Sequence, residues 1–354
     1  MRRQLLIRAS NWIGDCVMSV AAVKELRRLY PEDRLTIIGY RRLTGLFEGQ
    51  AFVDRVIALE PAGRWGRIRL ESRTLQGADR ILLFPNSFAS ALPPFLARVP
   101  DRLGYRTDGR SLLLTHGVRP RSKCLGHHQA FYYLDLIHQL GLSEVNYLVH
   151  RDYAPDITLE ASKSAIQKAQ SLLEEMRVDP SLPLVALNPG AAFGPAKRWF
   201  LDRYAAVADL LVEEEGAEIL VVGSRQEAPL ARQIEKQMRA RPHCLSGKTS
   251  LSTLMGLLSH CDLLVTNDSG PMHLAAALGI PQVALFGSTD EIATGPLCDR
   301  AVVIHKHVEC SPCLLRECPI DLRCLDRITV DEVFQAAQGL LHSRFQIPDQ
   351  NVET

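Results

Sequence analysis

The stretch from Thr266 to Gly287 reads TNDSGPMHLAAALGIPQVALFG. An apolar run, Leu263–Val265, stops at Asn267-Asp268-Ser269-Gly270-Pro271, and an Ala-rich helical segment starts at once. Asp268 or Ser269 suits the N-cap, and Pro271 suits the first turn because it has no N–H to leave unpaired. Gly270 lets a ligand approach the backbone. A helix start that follows a strand gathers N–H groups and the positive end of the helix dipole, so its natural ligand is an anion. His273 lies one turn further in, near the same mouth. The same residues also suit an ordinary capped helix with no ligand.

Three more stretches carry chemistry of a matching kind. In NPGAAFGPAKRW, Asn188–Trp199, two glycines and two prolines follow an apolar run, which marks a loop, and Gly190 allows a close approach. Lys197 and Arg198 close that loop, where they can neutralise a diphosphate or simply be solvated. In VVGSRQEAPL, Gly223 and Ser224 end a strand and Glu227 enters the next helix. A carboxylate there can hold a ribose hydroxyl pair, or only complement the helix dipole. In ASNWIGDCVMS, Ala9–Ser19, Asp15 follows Gly14 at a helix start. It is placed either as a general base or as a first-turn acid.

Other patterns are excluded or left open. SGKTS at 246–250 ends like a nucleoside-triphosphate loop, but the required glycine five residues before Gly247 is Pro242. No GxGxxG follows a strand, and no Asp-X-Asp pair ends one in the second half. Cys310, Cys313, Cys318 and Cys324 lie in CSPCLLRECPIDLRC. They are expected to be reduced thiols, with structural zinc as the alternative. Cys298, His305 and His307 lie nearby without a clear ligand spacing. His127 and His128 form a pair in a basic loop and are read as surface or acceptor-side residues.

These residues need elements that bring them together. Strands are expected at Gln4–Arg8, Leu35–Ile38, Arg55–Ala58, Arg80–Phe84, Leu184–Asn188, Glu218–Val222, Leu263–Val265, Gln282–Phe286 and Ala301–Ile304. Helical periodicity covers Val17–Leu29, Ala130–Leu140, Phe200–Glu215, Glu227–Arg239, Leu251–Leu258 and Val330–His342. The alternation argues for βαβ units and parallel sheets, and it starts twice, around a polar helical stretch near 160–183. The expected fold is α/β, with two doubly wound Rossmann-like domains, 1–165 and 166–328, facing a cleft. The final segment, 329–354, holds a helix with the option of packing back on the first domain. Ligands of such sheets sit beyond the carboxyl ends of the strands.

The chain has 354 residues, 46% hydrophobic and 23% charged, with net charge +1. That sum hides an asymmetry: residues 1–123 hold 22 Lys/Arg against 11 Asp/Glu, while the remainder is net acidic. The basic residues include Arg64, Arg67, Arg69, Arg73, Arg98, Arg102, Arg106 and Arg110. They suit an anionic partner, or a solvated face. The only apolar run of the N-terminal stretch MRRQLLIRAS is Leu5–Ile7, too short for an export signal, and no stretch approaches the ~20 apolar residues of a membrane span. A cytoplasmic protein with its nine cysteines mostly reduced is expected.

Together, SNWIGDCVMS, LFPNSFASALPPFLARVPDRLGYR, NPGAAFGPAKRW, VVGS and TNDSGPMHLAAALG resemble, in order and over nearly the whole chain, the lipopolysaccharide heptosyltransferases, a GT-B glycosyltransferase family. PNSFASALPPF and GAAFGPAKRW resemble its type II members. The resemblance implies transfer of heptose from ADP-heptose to the first heptose of heptosyl-Kdo-lipid A, with inversion and without a metal or other cofactor; the alternatives are another GT-B nucleotide-sugar enzyme, type I-like or a 2-epimerase, or a non-catalytic nucleotide-sugar-binding protein. It implies Asp15 as base and Lys197 as stabiliser of the leaving diphosphate. It places Asn188, Gly190, Arg198, Gly223, Ser224, Glu227, Thr249, Asp268, Ser269, Gly270, Pro271 and His273 around the donor. Within that set, Glu227 takes the ribose, Thr249 lies near adenine, and Asp268 caps the helix or meets heptose hydroxyls. Ser10, Asn11, Gly14, Asn86 and Ser87 stand on the acceptor side. It further implies work at the cytoplasmic face of an anionic inner membrane. A monomer is expected, and the absence of a recognised binding motif argues against nucleic acid as partner.

Overall fold

The computed structural model describes residues 4–60, 63–121, 126–150 and 152–343. The chain divides into two compact units, Met1–Ser162 and Lys163–Thr354.

In the first unit the order is β1 (Gln4–Arg8), α1 (Ile13–Met18), α2 (Val20–Leu29), β2 (Arg34–Tyr40), α3 (Arg41–Thr44), β3 (Arg55–Leu59), α4 (Arg64–Thr74), β4 (Arg80–Leu83), α5 (Phe88–Leu96), β5 (Asp101–Tyr105), β6 (His116–Val118) and α6 (Ala130–Gln139). The second unit runs α7 (Lys163–Glu175), β7 (Leu184–Asn188), α8 (Leu201–Glu215), β8 (Glu218–Val221), α9 (Ala228–Gln237), β9 (His243–Cys244), α10 (Leu251–His260), β10 (Leu263–Asn267), α11 (Gly270–Ala277), β11 (Gln282–Phe286), α12 (Glu291–Thr294), β12 (Ala301–His305), α13 (Arg323–Asp326) and α14 (Val330–Ser343).

Each unit is one six-stranded parallel sheet. The orders are β3-β2-β1-β4-β5-β6 and β12-β11-β10-β7-β8-β9, the same doubly wound order read from opposite edges. The strand order reverses between β1 and β4 in the first sheet and between β7 and β10 in the second. A ligand crevice opens at such a switch point. Thr266 pairs with Asn188 in the register of β10 on β7, so those two strands finish side by side. β7, β10 and β11 are buried along their whole length, as strands covered on both faces must be.

The structure departs from the sequence reading in a few elements. β5 is polar and β6 and β9 are short, and none of the three was expected as a strand, nor α4 and α5 as helices. α4 carries five charged residues in eleven, which masks its periodicity. α5 keeps Pro93 and Pro94 inside its helical span. The final helix does not need the first unit for its apolar face. Val333, Phe334, Ala337 and Leu341 of α14 belong to the core of the second unit, with Leu211 of α8 and Leu285 of β11.

Candidate active site

At the head of α11 Ser269 occupies the N-cap position with extended backbone, φ −156°, yet makes no capping bond. Its Oγ instead takes a hydrogen bond from Asn188 Nδ2 at 2.7 Å, and Asn188 Nδ2 also reaches Thr266 Oγ1 at 3.0 Å. Asp268 does not cap the helix either. Its Oδ2 accepts from Lys197 Nζ at 2.5 Å and from Thr289 Oγ1 at 2.6 Å, with Thr294 Oγ1 at 3.5 Å. The capping role expected of Asp268 or Ser269 is thus replaced by side-chain pairing, and no side chain closes the helix head. Pro271 sits in the first turn as expected, after Gly270. His273 is buried one turn into α11, like Asp268 and Asn188.

The Lys197–Asp268 pair is deep: the side chains are 11% and 3% exposed. A buried ammonium needs a partner, and Asp268 supplies it. Lys197 Nζ also lies 4.9 Å from the centre of the Phe193 ring, whose other neighbour is the Arg316 guanidinium at 5.3 Å. The loop that carries Lys197 is fixed from two sides. Asn267, fully buried, donates to Pro189 O at 2.8 Å and accepts at Oδ1 from Trp199 N at 3.0 Å and from Tyr204 at 3.1 Å. From the other side Ala196 N donates to Arg316 O at 3.1 Å. Arg198 donates to Ala191 O at 3.1 Å, while its Nε is buried with no hydrogen-bond partner among the described residues.

A second group adjoins this loop. Ser224 and Glu227 form a capping box, with Ser224 N donating to Glu227 Oε2 at 2.8 Å. The Glu227 carboxylate lies against Gly190, where a Cβ would stand 2.1 Å from Oε1. A side chain at 190 would displace that carboxylate. Gly247 N donates to Gly223 O at 2.9 Å, and Thr249 follows two residues later on the β9–α10 loop.

In the first unit Asp15 is half-buried in α1, where Gly14 is the second residue. Tyr133, on α6, donates to Asp15 Oδ1 at 3.2 Å and lies 3.3 Å from Ser10 Oγ. Burial, and after it the Asp15 charge, push the Tyr133 phenol well above its ordinary range, so it stays a donor. The neighbouring Cys16 thiol is pushed up by burial, then by Asp15, which keeps it protonated and unreactive.

Asn11 and Ser87 line one cavity of about 220 Å³ with Arg8, Tyr40, Arg67 and Glu71. Arg8 Nε donates to Glu71 Oε1 at 2.7 Å, and the guanidinium lies over the Tyr40 ring. Burial raises the Glu71 carboxyl against the opposing pull of Arg8. Asn86 Nδ2 donates to Tyr132 at 2.8 Å. The loop bearing Asn86 and Ser87 rests on buried Arg110, which donates to Pro85 O and, at 2.8 Å, to Tyr105 O. Burial lowers the Arg110 guanidinium to about 10.

So the structure links Asn188, Lys197, Asp268 and Ser269 directly, groups Gly190, Gly223, Ser224 and Glu227, and joins Ser10 to Asp15 through Tyr133. Sequence reasoning missed Tyr133, Asn267, Thr289, Thr294 and Arg316. The TNDSG stretch already holds Asn267, but nothing in its spacing shows that it fastens the distant 189–199 loop. Among the described residues Cys310, Cys313, Cys318 and Cys324 form no disulfide, and Cys318 Sγ accepts from Leu322 N at 3.3 Å.

Comparison with known proteins gives the family and the fold. The family model "Glycosyltransferase family 9 (heptosyltransferase)" matches residues 67–323. Lipooligosaccharide heptosyltransferase 2 of Haemophilus ducreyi is 32% identical, with 85% of this chain and 88% of that protein covered. Lipopolysaccharide heptosyltransferase 2 of Escherichia coli is 31% identical, covering 85% and 87%. Among solved structures, E. coli ADP-heptose lps heptosyltransferase II superposes with TM-score 0.81 at 26% identity, over 98% of this chain and 100% of that one. A family 9 glycosyl transferase of Veillonella parvula superposes with TM-score 0.81 at 22% identity, over 96% and 97%, and adds support for the fold. The chain is a glycosyltransferase and belongs to glycosyltransferase family 9.

Proposed function

We propose that this enzyme moves L-glycero-D-manno-heptose from ADP-heptose to the first heptose of heptosyl-Kdo-lipid A, with inversion. The observation that carries the donor half is the buried Lys197–Asp268 pair at the uncapped head of α11. Asp268 holds the ammonium in place until a diphosphate provides the stronger counter-charge. Negative charge grows on the diphosphate as the sugar leaves, so a fixed cation and a helix head stabilise the transition state more than the ground state. They do the work of a divalent cation in the reaction. Glu227 receives the ribose beside Gly190, and Thr249 lies near adenine. Arg198, with its buried, unpaired Nε, is a second cation for the donor.

The acceptor half rests on the first unit. Asp15 takes the proton of the attacking hydroxyl. That oxygen bonds to the anomeric carbon as the bond to the ADP oxygen breaks, in a single displacement with no covalent enzyme intermediate. Tyr133 holds Asp15 and occupies one lobe of its Oδ1. Ser10, Asn11, Gly14, Asn86 and Ser87 face the acceptor, and Arg8 and Arg67 add positive charge at the cavity that Asn11 and Ser87 line.

No helix among the described residues is long and apolar enough to cross a membrane. In the proposed reading a cytoplasmic monomer reaches the membrane surface through its basic first unit. Nucleic acid has no part in it.

The test is to give the purified protein ADP-heptose with either heptosyl-Kdo-lipid A or Kdo-lipid A, in EDTA, and to weigh the lipid. The expected result is a gain of one heptose on the first acceptor only, with release of ADP. Transfer to Kdo-lipid A instead, or no transfer with either, contradicts the acceptor assignment.

A further inference from the structure

A second cluster of titratable groups lies outside the donor and acceptor residues. His305 ends β12 and His307 follows two positions later, just beyond the strand. Their ring centres are 4.4 Å apart. Glu291, the first residue of α12, reaches the same place from the chain after β11. His305 Nδ1 is 2.6 Å from Glu291 Oε2, and His307 Nε2 is 3.5 Å from Glu291 Oε1. One ligand atom from each of the three residues lies within 4.8 Å of the others.

The protons in this cluster can be followed. The Ser311 hydroxyl donates its one proton to Gly287 O at 2.5 Å. It must then accept from His305 Nε2, which lies 2.8 Å away, so Nε2 carries a proton. In the neutral ring this leaves Nδ1 as a lone pair, pointed at a carboxylate that also only accepts. Two acceptors at 2.6 Å require positive charge between them. A proton there satisfies one contact. A metal ion satisfies the carboxylate and both imidazoles together.

We propose that Glu291, His305 and His307 form a site for one zinc-class divalent cation. Two imidazoles and a carboxylate are a familiar donor set for zinc, with water in the fourth position. The water has access, because the His307 side chain is 71% exposed while His305 is 3% exposed. Zinc bonds of about 2.0–2.2 Å set neighbouring donors about 3.3 Å apart, which the His307–Glu291 spacing already approaches and a small turn of the carboxylate gives for His305. The Ser311 contact orients the ligand ring, as outer partners of metal-bound histidines do. The site braces the β12 end against α12. Thr289 and Thr294, just before and within that short helix, are the residues that donate to Asp268. The ion is thus a brace beside the donor residues and takes no part in the chemical step, so the inference stands apart from the choice of substrates.

The test uses the full chain, stripped with EDTA and titrated with Zn²⁺ by calorimetry, with melting followed in parallel. One ion per chain and a rise in Tm are expected. His307→Gln, at an exposed position that leaves the fold intact, should abolish both effects, and Ser311→Ala should weaken binding about 10- to 100-fold. With Co²⁺ the spectrum should lack sulfur-to-metal charge-transfer bands. A variant with Cys310, Cys313, Cys318 and Cys324 all changed to Ser should still bind. Absence of binding overturns the proposal and leaves a proton between His305 and Glu291. Binding undiminished in His307→Gln also overturns it. So does a thiolate spectrum that disappears in the serine variant, which would assign the ion to the cysteines.

Discussion

At the residue scale the central object is one lysine held by one aspartate. Lys197 is nearly buried, and its charge is tolerable there because Asp268 meets it at 2.5 Å. Removing one partner of such a pair leaves an uncompensated charge, which costs about 3–5 kcal/mol. Asp268→Asn should therefore lower Tm clearly. ADP should then raise Tm by more than it does in the wild-type protein, since its diphosphate replaces the missing counter-charge. A variant as stable as wild type, or one with a smaller ADP shift, would contradict the pairing described here. The sequence showed Lys197 and Asp268 as separate features of two loops. Their bond depends on strand ends that meet only when β7 lies beside β10, which no local pattern reveals.

At the scale of elements, the parallel strands were legible because buried runs such as LVALN and QVALF leave few alternatives. β5, β6 and β9 were not legible: DRLGY, HGV and HC carry too few apolar residues to stand out. α4 was hidden by its arginines, and α14 packs within the second unit because its apolar face completes that core. The Glu291–His305–His307 group escaped for a similar reason, since the fold and not a motif spacing brings Glu291 to the histidines. The loop from Asn188 to Trp199 was recognised as a loop, but its support was not. Gly194 touches the Arg316 backbone, and a Cβ there would stand 2.3 Å from Arg316 O. Backbone cannot rotate out of the way as a side chain can. Gly194→Ala should cost about 1–3 kcal/mol of stability. It should also slow turnover by displacing Lys197, whereas Gly190→Ala presses only on the flexible end of Glu227 and should chiefly weaken ADP binding. Comparison of Tm and of ADP affinity in the two variants checks this, and equal effects on both measures would count against it.

At the scale of the whole molecule, charge and exposed apolar groups coincide in the first unit. Trp65 on α4, Phe95 and Leu96 on α5, and Leu112 in the turn at 110–113 are exposed, and α5 packs against both α4 and that turn. The role proposed for this basic surface is to meet anionic lipid, and salt shortens the reach of its charges from ~10 Å at 0.1 M to ~3 Å at 1 M. Co-sedimentation with anionic vesicles should fall steeply over that range and fall further in Trp65→Ser. Binding that ignores both salt and Trp65 would contradict the role given to this surface. The account as a whole depends on one group, the Asp15 carboxylate, acting as base in a metal-free transfer. The most direct measurement is single-turnover heptose transfer by wild-type and Asp15→Asn enzymes in EDTA, with ADP affinity measured alongside. The account predicts a rate lower by about 10²–10⁴-fold in the variant, with ADP binding unchanged. A variant that transfers heptose at the wild-type rate would contradict it.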